Sequence, residues 1–527
     1  MSTARFLPET RLLPAVAVPV AALLLAPAAA KADEVGYQEL LARLGAAAPT
    51  GAAVSVAQVE AQESEGNFGP NRSLAEFAGK AFTDMSGSSG SSGHATFVGQ
   101  NMYGGATSIS PGTARIWLYE AGSFAQGASL NAGNPALLPA TPPGGSSPVR
   151  VFNHSWIGSF GSAGLDNEVL RRADFAMNRD DTLFVCGENN GAGSAMQPLM
   201  SMAYNGIAVG LTSGGHSAGD VPAGTDGVGR MKPELVAPGQ FTSFSTPVVS
   251  AAAALMYETA TSGALAANAG RRKGVVVKSA LLCGATRGAS WTNQAPASGP
   301  SRGSTAKPLD PVFGAGTVNV DRSHRIISAG EAVGSLTAAA AVAANAQPLV
   351  SWDFETFSAS TQRHYRIELP LQCDASFLVT WNRAPLAQWT TGVSPATLNL
   401  RLELRRVVNG TATSMTGDAG IGVFASGNSL SVSAVDNVEL LHLRGLQPGS
   451  YVLSVTRDDA LSISAPVAVS WFMDVPSVFG DLDGNAVVNG ADLGLLLGAW
   501  GSAGPGDLNG DGIVGGADLG LLLGSWD

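Results

Sequence analysis

Apolar and polar positions fall into short runs of two kinds along the first part of the chain. Val54-Ser55-Val56-Ala57-Gln58-Val59 and Val149-Arg150-Val151-Phe152 are β-branched runs of strand length, whereas Pro247 to Thr259 is a small-residue stretch of helical length. The two kinds alternate from about Ala52 to Val318, the order of an α/β domain with a largely parallel sheet. An Ala-rich stretch, Ala338 to Ala346, reads as a connector. From about Leu349 to Val475 short strands recur between turn signals such as Pro448-Gly449. Ser376 to Trp381, Leu398 to Leu404 and Tyr451 to Thr456 predict an antiparallel β-sandwich. From about Phe479 one pattern occurs twice, and each copy ends in Leu-Gly-Leu-Leu-Leu-Gly followed by Trp500 or Trp526, a short apolar helix able to pack on its twin. The predicted organisation is a leader over 1–32, an α/β domain over 33–335, a sandwich over 345–475 and a small helical pair over 476–527.

Composition narrows this picture. With 45% hydrophobic and 13% charged residues, the 527-residue chain is no disordered polyelectrolyte. Its 66 Gly and 29 Pro carry no collagen period and point to turns and small-residue packing. A net charge of -11 leaves no diffuse basic surface for phosphates, so nucleic acid is excluded as a partner. Cys186, Cys283 and Cys373 are too few and too scattered for a disulfide framework and read as buried free thiols.

Arg5 and Arg11, an apolar stretch from about Ala15 to Ala26, and Ala30-Lys31-Ala32 have the form of a cleavable signal peptide. The apolar run is shorter than the roughly 20 residues of a spanning helix. The mature chain is therefore expected to be exported, periplasmic or extracellular, with no membrane span. Residues 1–32 carry three basic residues and Glu9, so cleavage takes the net charge from -11 to -13.

Seven of the acids lie between residue 481 and the end, where there is no Lys or Arg. The repeated pattern sets oxygen side chains at positions 1, 3, 5, 9 and 12 in the first copy (Asp481, Asp483, Asn485, Asn489, Asp492). The second copy has them at 1, 3, 5 and 12 (Asp507, Asn509, Asp511, Asp518), and backbone carbonyls are expected from Val487 and Ile513 at position 7. A hard cation with six or seven oxygen ligands needs this spacing, so two Ca²⁺ ions are expected. The duplicated loops resemble a dockerin domain, with Asp in place of the EF-hand Glu at position 12. The resemblance implies a cohesin-like protein partner.

The run Lys232-Pro-Glu-Leu-Val-Ala-Pro-Gly239, then Thr242-Ser243, then Pro247 onward, reads as strand, turn and small-residue helix. A Ser at a helix start stands at the positive end of the dipole, where an oxyanion is stabilised. His94, in Gly93-His94-Ala-Thr96-Phe-Val98, and Glu60, at the end of Val54 to Val59, precede it. A carboxylate that orders an imidazole, and an imidazole that takes a serine proton, are the parts of a nucleophilic triad.

With its order of acid, His and Ser, the chain resembles the subtilisin-like serine proteases over about residues 50 to 325. Asn153-His154-Ser155-Trp156-Ile-Gly158 is similar to that family's cleft-lining strand, which implies Ser155 and Gly158 as substrate-binding residues. Gly187-Glu-Asn189-Asn190-Gly191 is similar to its oxyanion turn; the Asn-x-Gly spacing selects Asn189, with Asn190 as the rival. The resemblance implies an endopeptidase acting on protein or peptide substrates through an acyl-enzyme, with Glu60, His94, Asn189 and Ser243 as its machinery. Glu stands where the family has Asp, and Phe241 where it has Gly. These departures leave open a second function class, a catalytically inactive subtilase-fold binding or scaffold protein tethered through its dockerin-like tail. The segment from Leu349 to Val475 looks like the jelly-roll modules that follow secreted proteases, and a structural spacer is the favoured role.

Overall fold

The run around Val56 becomes β1 (Ser55–Glu60), an interior strand of a seven-stranded sheet. Its partners are β2 (Ala81–Asp84), β3 (Arg115–Glu120), β4 (Val149–His154), β5 (Leu183–Gly187), β6 (Ile207–Leu211) and β7 (Leu235–Ala237), in the order β7-β6-β5-β4-β1-β3-β2. Every pairing is parallel. This computed structural model describes residues 33–384, 397–418, 423–476, 478–504 and 506–526, so the leader expected over 1–32 lies outside it.

Helices cover both faces of the sheet, which is why β1, β5 and β6 are buried along their whole length. On one face Val56, Val151, Val185 and Val209 pack with α1 (Gly93–Tyr103), α3 (Thr242–Thr261), α4 (Gly274–Gly284) and α5 (Val320–Ser328). On the other, Ala57, Val59, Phe152 and Phe184 meet α2 (Ala163–Asp180). After β1 the chain goes to the edge strand β2 and returns through β3 to lie beside β1, then crosses to build outward from β4 to β7 on the other side. This order reverses beside β1, so the crevice of the fold opens at the carboxyl end of that strand.

The second region is two facing sheets. One joins β8 (Val350–Phe357), β10 (Cys373–Trp381), β13 (Val438–Leu446) and β15 (Ala465–Asp474). The other joins β9 (Gln362–Leu369), β11 (Leu400–Val408), β12 (Leu430–Ser431) and β14 (Gly449–Arg457). Pairing among these strands is antiparallel, and Ser304–Thr305 from the first region adds a short parallel edge to β12. Phe377, Val379 and Trp381 alternate into the sandwich core, while Leu378 points the other way into the core of the α/β region. Trp352, Leu440, Ala468 and Phe472 do the same, so the outer face of the first sheet lies against α4 and α5. The Ala-rich connector is a short helix, Ala338–Ala343, whose Val342 carbonyl accepts from Arg366 of β9.

A buried ionic cluster joins the two regions. Arg383 donates from Nε to Asp174 at 2.9 Å and from Nη1 to Asp226 at 3.0 Å, and Arg171 donates to both oxygens of Asp226. Asn205 exchanges hydrogen bonds of 2.8 Å with the backbone of Arg383, whose guanidinium also lies 4.3 Å from the Tyr204 ring centre. The tail forms α6 (Gly490–Gly498) and α7 (Gly516–Gly524) around Val488, Leu496, Val514 and Leu522. All three cysteines are free and buried. Among the described residues no helix is long and apolar enough to cross a membrane.

Removing one member of a buried ion pair strands the other charge. Arg383→Ala is therefore expected to cost about 3–5 kcal/mol of unfolding free energy by chemical denaturation; a loss under about 1 kcal/mol would show that the cluster does not hold the two regions together.

Candidate active site

Each candidate sits at the carboxyl edge of the parallel sheet or in the loop that follows it. Glu60 is the last residue of β1, Ser155 follows β4, and Asn189 and Asn190 follow β5. Thr242 opens α3 five residues after β7. Alternation along a strand puts Gln58 and Glu60 on the same face as Val56, toward α1. The Ser92 side chain caps α1 by accepting from Ala95 N at 3.1 Å, which sets His94 in the first turn over the end of β1.

The carboxylate of Glu60 is 1% exposed, and its Oε2 lies 2.9 Å from Nδ1 of His94. Its Oε1 accepts from Gln58 Nε2 at 3.0 Å. Burial alone would lower the His94 pKa. The charge and hydrogen bond of Glu60, helped by the charge of Glu63, outweigh that and hold it above the ordinary histidine value. Glu63 itself accepts from Gly93 N at 2.7 Å, at the start of the same helix. Roughly a third of the His94 side chain, 37%, remains exposed, and among the described residues its Nε2 has no hydrogen-bond partner.

Helix α3 begins at Thr242 and places Ser243 in its first turn, at the helix start read from the sequence, with Pro247 inside the helix. Pro247 has no N–H to give to the carbonyl of Ser243 four residues back. That carbonyl instead accepts from Ser155 Oγ at 3.0 Å, and Ser155 in turn accepts from Asn153, which is held by Ser250 of α3. The ring of Phe244 stands 6.0 Å from that of His94, which brings the imidazole and Ser243 into one neighbourhood. Phe97 and Phe241 pack on the same ring at 5.8 and 5.9 Å. Ser243 Oγ makes no hydrogen bond among the described residues, to His94 or to any other group. A resting nucleophile and base are often loose until substrate closes them together.

The first turn of α3 also accounts for its backbone donors. Thr242 N–H goes to Asn190 Oδ1 at 2.9 Å, and the N–H groups of Phe244 and Ser245 go to Phe241 O. The N–H of Ser243 is left without a partner among the described residues, an open donor at the positive end of the helix.

Asn189, the residue selected by spacing, donates its Nδ2 to Ala195 O at 2.9 Å, away from this turn. Asn190 meets it instead. Its oxygen accepts from the N–H and the hydroxyl of Thr242, and its Nδ2 has no partner among the described residues. Gly158 lies in a bridge with Leu199, whose N–H donates to the Gly158 carbonyl at 3.1 Å. Another histidine at the carboxyl end of the sheet, His154 of β4, is enclosed by Phe124, Phe184 and Trp156. Burial pushes its pKa down to about 3, so it stays neutral.

In the tail, the carboxylates of Asp481, Asp483 and Asp492 offer oxygens within 4.8 Å of one another. Position 6 is left-handed in both loops, with φ of 63° at Ala486 and 95° at Gly512, as the sharp turn of such a loop requires. Burial first, and then the charges of Asp492 and Asp481, push the Asp483 carboxyl up. The buried Asp492 accepts from Leu482, Asp483 and Asn489 N–H, and Asp518 accepts from Leu508, Asn509 and Gly515 N–H in the same way. This donor set of carboxylate and amide oxygens fits a hard cation.

Sequence reading passed over Gln58, Tyr103 and Glu63. Gln58 lay inside the run Val54 to Val59 and was visible there as its one long polar residue.

No protein-family model matches the chain, and no curated protein matches it. Among solved structures it is similar to one titled "Crystal structure of a cold adapted subtilisin-like serine proteinase", at 17% identity and a TM-score of 0.29, covering 51% of this chain and 88% of that one.

The Glu60–His94 contact fixes a sign for pH dependence. The His94 ring should titrate above the ordinary value of about 6.5, and Glu60→Gln, which removes the larger of the two charges that raise it, should lower it. Proton NMR of the ring signals checks this; a midpoint unmoved by Glu60→Gln would show that the two groups are not coupled.

Proposed function

We propose that the chain is a secreted serine endopeptidase of subtilisin-like type, which hydrolyses peptide bonds through an acyl-enzyme. The observation that carries this reading is the buried Glu60 carboxylate 2.9 Å from Nδ1 of an otherwise open His94, beside the helix turn that carries Ser243. Ser243 Oγ attacks the scissile carbonyl and His94 Nε2 takes its proton. Glu60 stabilises the imidazolium and fixes the tautomer. The oxyanion of the tetrahedral intermediate meets the unpartnered N–H of Ser243 and the Nδ2 of Asn190, which takes the part first assigned to Asn189. His94 then returns its proton to the leaving amine, and water repeats the sequence to release the acyl group. Ser155 acts by holding the Ser243 carbonyl, and Gly158 borders the cleft.

The tail belongs to the same proposal as a pair of Ca²⁺ sites. Asp481, Asp483, Asn485, Asn489 and Asp492, with Asp507, Asn509, Asp511 and Asp518 in the second loop, would hold the ions together with the carbonyls of Val487 and Ile513. The cation supplies charge neutralisation to carboxylates that otherwise repel one another. A cohesin-like protein is the partner class such a tail implies.

A fluorophosphonate probe should label the wild-type chain and fail to label Ser243→Ala; labelling that is absent from the first or survives in the second rejects the triad in favour of the inactive scaffold. Loss of one oxyanion donor costs about 3–4 kcal/mol in the transition state, or 10²- to 10³-fold. Asn190→Ala should show that loss in labelling rate and Asn189→Ala should not; the reverse order would return the role to Asn189. Calorimetric titration of the full chain should find two Ca²⁺ ions, one of them lost in Asp492→Ala and the other in Asp518→Ala, and no heat of binding would reject the tail sites.

A further inference from the structure

Gln58 is fully buried, two residues before Glu60 on the same face of β1, and every polar atom of its amide is used. Nε2 donates to Glu60 Oε1 at 3.0 Å and to the carbonyl of Ala95 at 2.8 Å. Both partners only accept, so the amide nitrogen must lie on that side and the amide oxygen on the other. The oxygen faces the hydroxyl of Tyr103, which therefore donates to it. Ala95 and Tyr103 belong to opposite ends of α1, the helix that carries His94. The Tyr103 ring is itself fixed between Phe77 and Phe82, at 5.6 and 6.0 Å. Room for its hydroxyl comes from Gly99, where a Cβ would stand 2.6 Å from that oxygen.

We infer that Gln58 and Tyr103 are positioning residues for the acid of the triad: Tyr103 orients the Gln58 amide, and the amide holds Glu60 Oε1 so that Oε2 stays on His94 Nδ1. The inference rests on the proposed catalytic reading and adds to it how a glutamate is held in that place. Glutamate has one more rotatable bond than aspartate, of order 1.5 Å in reach. In a dry site its second oxygen also needs a donor of its own. A single amide supplies that donor, and by binding Ala95 as well it ties the carboxylate to the first turn of the helix that presents the imidazole. The carboxylates facing His94 are Glu60 and Glu63.

The test uses the full chain and two readouts. Tyr103→Phe keeps the ring packing and removes only the hydroxyl; Gln58→Leu keeps the volume and removes the amide. Each should lower the rate of fluorophosphonate labelling about 10- to 100-fold while the chain still unfolds cooperatively. In a Glu60→Ala background the same changes should cost nothing further, because a residue that acts through Glu60 has nothing left to hold. In a Ser243→Ala background, proton NMR should show the His94 midpoint, identified by its loss in His94→Asn, falling toward the ordinary value in both variants. Rates and midpoint unchanged in Tyr103→Phe, or an equal loss with and without Glu60, would overturn the inference and leave the network a packing feature. A midpoint that falls as expected in a chain that is never labelled would uphold the positioning and overturn the catalytic reading alone.

Discussion

A carboxylate withdrawn from water costs several kcal/mol unless both of its oxygens find donors. Glu60 meets that condition at the end of an interior strand, where the sheet order reverses and α1, which joins β2 to β3, lies over it. His94 takes one oxygen and Gln58 the other. Because Gln58 is bonded to both ends of α1, the constraint on one carboxylate sets the height and register of the whole helix above the sheet. With α1 fixed, Phe97 and His94 define the surface on which Phe244 rests, and Phe244 carries the first turn of α3 with it.

The helix that carries Ser243 is built to be enclosed. From Ser250 to Ala254 it is all Ser and Ala, residues small enough for close approach to the sheet, and it is buried along nearly its full length. Its neighbours α4 and α5 are covered in turn by the outer face of the sandwich, so one apolar cluster runs from Val56 of the sheet to Phe472 of β15. A spacer joined by surface loops alone would leave Trp352 and Leu440 in water. Here they finish the core of the α/β region, and the charges of Arg383, Asp174 and Asp226 are desolvated along the same seam.

Much of this was legible from the sequence, since period and composition act locally. The β-branched run of β1, the alternation of β10 and β14 and the paired acidic loops each announce their own element. So do the end of a strand at Glu60 and the start of a helix near Ser243. What escaped was set by partners far away in the chain. Leu378 reads as one more sandwich residue until α4 is laid against it, and Gln58 as an anomaly in a strand until Tyr103, 45 positions on, reaches it. The choice between Asn189 and Asn190 is of the same kind. Both sit in one turn, and only the place of the Thr242 N–H separates them. Nor does the sequence show what Pro247 does inside α3, where its missing N–H frees the Ser243 carbonyl for Ser155, 88 positions back.

The two ends of the molecule handle crowded negative charge in opposite ways. Along the seam with the sandwich Asp174 and Asp226 are paired with Arg383 and Arg171, so the charge balance of that cluster is internal. In the first tail loop the buried Asp492 is satisfied by three backbone N–H groups, which fold the loop and cap α6. Asp481 accepts from the N–H groups of Gly484, Asn485 and Ala486, and Asp483 from the backbone and side-chain amide of Asn485. Those bonds satisfy oxygens but neutralise nothing, and three negative charges remain within 4.8 Å with no Lys or Arg anywhere in the segment. The loop's shape is therefore encoded by its backbone, and the bonds that set that shape leave its negative charge without a cationic side chain in the segment.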